Sequence, residues 1–225
     1  MTAIPKLPTT AEVRARMIRS QLTVGLAGGW VLFASWLVHV LVMLGVISLA
    51  TKSFWHFDGS DVIGMLEVAV VLAWLVGWIL GVIGWFALAK VDRSKTLMAW
   101  LTAALFVVVI VGTAAAVELG YRHGSAATGM LVIMTVAAYY LAHGIVWLGH
   151  PTHRGLARTA ALASFATTAT LIVGVAALYA GDVSSLGLFV ATMIAGPCAA
   201  AIAHLASGLV MGRERASVSA FTSFD

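Results

Sequence analysis

Six stretches of this chain are apolar for longer than the roughly 20 helical residues that cross a hydrocarbon core of about 30 Å. They run over 24–50, 62–89, 97–118, 126–149, 159–180 and 185–211. Lipid offers no hydrogen bonds to an open backbone, so such runs fold as helices that satisfy their own amides. The charge between them sets their direction. Lys6, Arg14, Arg16 and Arg19 precede the first stretch, and Lys90, Arg93 and Lys95 separate the second from the third. Arg154 and Arg158 lie between the fourth and fifth, and Arg213 and Arg215 follow the sixth. The other three connections hold only Lys52 and Arg122, so 11 of the 13 basic residues fall on one side. The positive-inside bias makes that side the cytoplasm. The sequence predicts an all-α integral membrane bundle of six transmembrane helices, both termini inside, in the inner or plasma membrane of the cell.

Composition then narrows the function. The chain is 61% hydrophobic and 10% charged, whereas soluble domains carry about 25% charged residues. A formal charge of +4 would suggest nucleic acid in a soluble chain. Here the basic residues stand where anionic lipid headgroups want them, and nucleic-acid binding is not expected. The single Cys198 lies inside the sixth stretch, so neither an intrachain disulfide nor a cysteine metal site can form. The first stretch is too long for a signal-peptide core and no small-x-small cleavage site follows it, so it is expected to be retained. No connection exceeds about a dozen residues, which leaves no room for a soluble catalytic domain. GxSxG, HExxH and a phosphate-binding loop are all absent, and side-chain catalysis is not expected.

Three regions follow: a cytoplasmic tail with an amphipathic segment over 1–23, the six-helix domain over 24–212, and a second tail over 213–225. Thr10 is a candidate N-cap for the amphipathic segment, where Val13, Met17 and Ile18 oppose Arg14, Arg16 and Arg19. Such a basic helix either lies along the cytoplasmic headgroups or extends the first span inward. The outer connection 51–61 places Phe54, Trp55 and Phe57 at interface depth, with a turn at Asp58-Gly59 and a helix cap at Ser60 or Asp61.

Ionisable groups inside the hydrocarbon are expensive, so each requires an account. His39, Glu67, His143 and His204 stand out. His143 and His204 lie at matching depth and are candidate axial ligands of one haem b, while His39 is roughly 10 Å out of register with them. The alternative is a neutral imidazole hydrogen-bonded to a carbonyl or hydroxyl. Glu67 either snorkels to the outer interface, pairs with Arg122, or joins Glu118, Asp58, Asp61 and Asp182 in an acidic rim. The third, fifth and sixth stretches carry no central carboxylate, which argues against a proton relay. Gly77, Gly81 and Gly84, and Gly208 with Gly212, offer small-residue faces for helix contact. Trp74, Trp78 and Trp85 then fall on the opposite side of the second helix, toward lipid or a partner. Pro197 should kink the sixth helix, and the Thr hydroxyls of 160–170 should bond back to carbonyls.

Together these parts resemble the small six-span permease subunits of ABC-2-type exporters. A basic amphipathic stretch, 12–22, leads into the first span, and the aromatic segment 54–57 leads into the second. The second span exits to a short basic turn, Ala89-Lys90-Val91-Asp92-Arg93-Ser94-Lys95-Thr96. The family's inner turn is similar to GxTRRxF and docks on the ATPase. Arg93, Ser94 and Lys95 stand at the matching place, without the glycine and aromatic of that pattern. A second inner turn, GHPTHRGLAR over 149–158, resembles the family's Arg-Gly connection. The resemblance implies a non-enzymatic exporter subunit that works with a separate cytosolic ATPase as a homodimer or hetero-oligomer, with Arg93, Ser94 and Lys95 as its coupling turn. The residues themselves leave two alternatives open. One is a haem- or quinone-binding subunit of a membrane redox complex, and the other an accessory subunit that packs against partners through its tryptophan-rich second helix.

Overall fold

A computed structural model describes residues 9–51, 60–123, 126–180 and 183–220. These form six helices: α1 (Thr10–Thr51), α2 (Ser60–Val91), α3 (Thr96–His123), α4 (Ala126–Leu148), α5 (Arg154–Ala180) and α6 (Val183–Ala220). A short 3-10 turn, Arg93–Lys95, joins α2 to α3. Among the described residues, four helices are long and apolar enough to cross a membrane, over Thr10–Gly45, Val68–Val91, Arg154–Ala180 and Ser185–Val218, and Ile133–Leu148 adds a shorter apolar helix. The chain is a multi-pass helical membrane bundle. Each helix packs on its neighbours in sequence, and α6 returns to lie along α1. The result is a ring in chain order.

The amphipathic segment is not a separate helix. Thr9, rather than Thr10, caps α1: its hydroxyl accepts from the Glu12 amide at 3.3 Å while the Glu12 carboxylate accepts from the Thr9 amide at 2.8 Å. This reciprocal capping box starts a helix that runs 42 residues without interruption, about 63 Å at the α-helical rise. Ala15 and Ile18 are buried in one cluster with Val218 of α6, whereas Val13 and Met17 are exposed. The segment therefore extends the first span and packs on the far end of α6. Both helices overrun the predicted 24–212 domain.

Close approach of backbones holds the ring together on the α1 side. A Cβ built on Gly29 would stand 2.7 Å from the His204 carbonyl oxygen and 2.8 Å from the Gly208 Cα. One built on Gly25 would stand 2.6 Å from the Gly84 Cα, so only hydrogen fits at either contact. On α5 the predicted back-bonding is present, with Thr167 Oγ1 donating to the Ala163 carbonyl at 2.9 Å and Thr170 Oγ1 to that of Ala166 at 3.0 Å. α6 continues as one helix through Pro197.

The tryptophans of α2 point the other way from expectation. Trp78 and Trp85 are 2% and 3% exposed, at the centre of the bundle rather than toward lipid. Lipid tails are as apolar as a protein core, so aromatic content does not tell an inner face from an outer one.

Candidate functional site

Two connected layers of polar side chains run through the bundle. The inner one is built by α4, which places Tyr139, Tyr140, His143 and Trp147 on one face by i, i+3, i+4 spacing. α2 adds Trp78 and Trp85, α5 adds Ser164, and α6 adds His204 and Ser207. His143 is fully buried. Its Nδ1 lies 2.7 Å from Ser164 Oγ, and its Nε2 lies 3.1 Å from Trp147 Nε1 and 3.2 Å from Ser207 Oγ. An indole N–H only donates, so Nε2 is the acceptor and Nδ1 carries the proton toward Ser164. Ser164 Oγ in turn donates to the Ala160 carbonyl at 2.7 Å, which closes the chain. His204 Nε2 meets the Tyr140 hydroxyl at 2.8 Å. Trp85 stands edge-on to His143 at 5.5 Å and Trp78 edge-on to His204 at 5.6 Å, with the two imidazole centroids 6.1 Å apart.

This geometry bears directly on haem. An iron held between His143 and His204 through Nε2 would compete with the Trp147 indole at His143 and the Tyr140 hydroxyl at His204, while the Ser207 hydroxyl donates to the Ala203 carbonyl at 2.7 Å. Ligation would have to break the first two of these bonds, so the donor set fits a hydrogen-bonded pair better than an axial pair. His39 is not in this cluster. It is half-buried on α1 and edge-on to Trp36 at 6.0 Å. The side chains of Glu67, Asp61, Glu118 and Arg122, and the residues Phe54, Trp55, Phe57, Asp58 and Asp182, lie outside those described.

The second layer closes one end of the bundle. Asp92 caps the 3-10 turn, its carboxylate accepting from the Ser94 amide at 2.9 Å. Lys95 turns inward to 2% exposure, where Nζ donates to the Val146 carbonyl at 3.1 Å and lies 3.7 Å from Asp92 Oδ2. Val146 is in the last turn of α4, whose carbonyls have no intrahelical partner, and a cation there also meets the negative helix end. Burial lowers the Lys95 pKa from its usual value, and the neighbouring Asp92 opposes that shift. Burial raises the Asp92 pKa, but the Ser94 hydrogen bonds and the Lys95 charge outweigh it and hold the carboxyl below its usual 3.8.

The α4–α5 connection completes this layer. Glu214 of α6 is 6% exposed. Its Oε1 accepts from the Thr152 hydroxyl and lies 3.4 Å from His150 Nε2 and 3.8 Å from His153 Nε2. Its Oε2 accepts from Ser217 at 3.0 Å. His153 takes the left-handed backbone conformation, φ 50°, that reverses the chain into α5. Burial lowers the His150 pKa below 6.5, the Lys95 charge adds to that, and Glu214 and Asp92 oppose it.

The coupling turn named from sequence is therefore split: Arg93 and Ser94 face outward, and Lys95 is part of the bundle. Sequence reasoning missed His150, Thr152 and Glu214. A signal existed for Glu214, since Ser207, Met211, Glu214 and Val218 form one buried stripe that continues the inner face of α6.

Further ties place the ends together. Lys90 Nζ donates to Gln21 Oε1 at 3.0 Å, and Arg215 to Thr23 Oγ1 at 3.3 Å. The start of α1, the end of α6 and both basic connections thus share one end of the bundle. No protein-family model, curated protein or solved structure matches the chain.

Proposed function

We propose that this chain is a non-enzymatic, permease-type membrane subunit that takes up motion from a separate cytosolic ATPase, as a homodimer or hetero-oligomer. The clamped turn between α2 and α3 supports this reading most. Arg93 and Ser94 are open to a partner, while Asp92 caps the turn and Lys95 binds it to α4 through the Val146 carbonyl. From there Trp147 meets His150 edge-on at 5.2 Å, and His150 leads to Glu214 of α6. A push on the turn is passed to two further helices rather than lost in loop motion. Export and ATP as its energy source rest on the ABC-2 resemblance. In this reading both termini and both basic connections are cytoplasmic, and substrate passes between helices at the subunit interface.

Arg93→Glu tests it. The variant should melt like the wild type yet lose co-purification with the ATPase and lose export. Unchanged export with the reversed charge would remove the coupling role. A second reading, a haem- or quinone-binding redox subunit, rests on the 6.1 Å separation of the His143 and His204 rings, and for haem it requires both Nε2 atoms to give up their present hydrogen bonds. It requires a Soret band or bound quinone that disappears in His143→Ala.

A further inference from the structure

Where α1 and α6 overrun the bundle, they border an open groove of about 610 Å³ lined by Arg16, Arg19, Ser20, Thr23, Arg215 and Ala216. Three guanidinium groups and two hydroxyls thus face one space. Arg16 and Arg19 lie one turn apart on α1, and Arg215 is held from α6 by its hydrogen bond to Thr23 Oγ1, whose own proton goes to the Arg19 carbonyl at 2.9 Å. Like charges at this spacing repel weakly, and an anion among them relieves that repulsion.

No protein carboxylate fills that role among the described residues. Two acids are close in sequence, and both are committed elsewhere. Glu12 closes the capping box with Thr9, and Glu214 faces His150, Thr152 and Ser217. Among the described residues, the charged side chains that line the groove are all cations. Arg19 Nε is, in addition, buried without a hydrogen-bond partner. Leaving such a donor unmet is costly.

The depth of the groove says which anion. It sits where the first apolar stretch begins at residue 24 and the sixth ends at residue 211, which is the headgroup level of a bilayer. Planar guanidinium groups match phosphate oxygens in pairs, and Ser20 and Thr23 supply further polar contacts. We propose that Arg16, Arg19 and Arg215 form a binding site for the phosphate of an anionic phospholipid headgroup. The bound lipid would bridge α1 to α6 and close the ring at its seam. This inference does not depend on the permease reading.

The test uses the full chain in neutral detergent, melted with increasing dioctanoyl phosphatidylglycerol. Dioctanoyl phosphatidylcholine serves as headgroup control and inorganic phosphate as the soluble arm. The expected result is a saturable rise in Tm with phosphatidylglycerol alone. Arg19→Gln or Arg215→Gln should weaken half-saturation about tenfold or more, since a charge-assisted hydrogen bond is removed. Arg93→Gln, which removes a charge elsewhere on the same end, should change nothing. If those variants fold poorly, Arg16→Gln, an exposed side chain, carries the test, with retained lipid counted by native mass spectrometry. Equal response to inorganic phosphate would overturn the lipid assignment in favour of free phosphate. No saturable response, or equal weakening in Arg93→Gln, would overturn the site itself.

Discussion

A lysine ammonium buried at the rim of a membrane bundle is tolerable only with partners, and Lys95 has two in Asp92 and the Val146 carbonyl. Lys95→Met keeps the apolar stem but removes the donor, leaving a helix-end carbonyl and a carboxylate without it. Unfolding in detergent should show a loss of about 1–3 kcal/mol, against less than about 0.5 kcal/mol for the exposed Arg93→Ala. Equal losses would mean that the inward turn of Lys95 contributes nothing. At this scale the sequence was legible where depth alone mattered. His143 and His204 were expected at one level, and their rings lie 6.1 Å apart. It was silent where orientation mattered. Whether Lys95 faces water or α4 depends on a carbonyl 51 residues away, which neither charge nor local spacing reveals. His150 was invisible for the same reason.

Helix pairing follows from glycine more than from hydrophobicity. The small-residue faces of α2 and α6 could be read as motifs, but their common partner on α1, Gly25 and Gly29, was overlooked although it has the same four-residue spacing. Gly29→Ala should force α1 from α6 and cost about 1–3 kcal/mol by overpacking, measured as a fall in Tm. Gly45→Ala is the control, because nothing lies within 4 Å of its added methyl. The Trp78 and Trp85 misreading has its cause here too, since an aromatic stripe in lipid carries no sign of which way it faces. The connection between α4 and α5 adds a pH dependence. Burial and the Lys95 charge hold His150 below 6.5, so on acidification the unfolded chain takes up this proton before the folded one. The His150 contribution is thus complete above pH 6.5 and declines as the pH falls beneath that value. Its slope cannot exceed about 1.4 kcal/mol per pH unit. A melting series from pH 7.5 to about 5 should show the decline, and His150→Gln should flatten it.

For the molecule as a whole, one end gathers the start of α1 and the end of α6 with both basic connections, while the residues of the opposite connections lie largely outside those described. The proposed orientation puts that end in the cytoplasm. Ser94→Cys, on an exposed turn, should react with a membrane-impermeant maleimide only in inverted vesicles or after permeabilisation, once Cys198 is replaced by Ala. Labelling of intact cells would reverse the topology. The ring arrangement also bears on how the protein is made. Helices leaving the ribosome in order each find their neighbour already inserted, apart from α1, whose glycine seam waits for α6. Until α6 arrives, His143 lacks Ser207, Tyr140 lacks His204, and the Lys95 end lacks Glu214. The groups that α4 and the α4–α5 connection turn toward α6 therefore complete their contacts only when the last helix is in place.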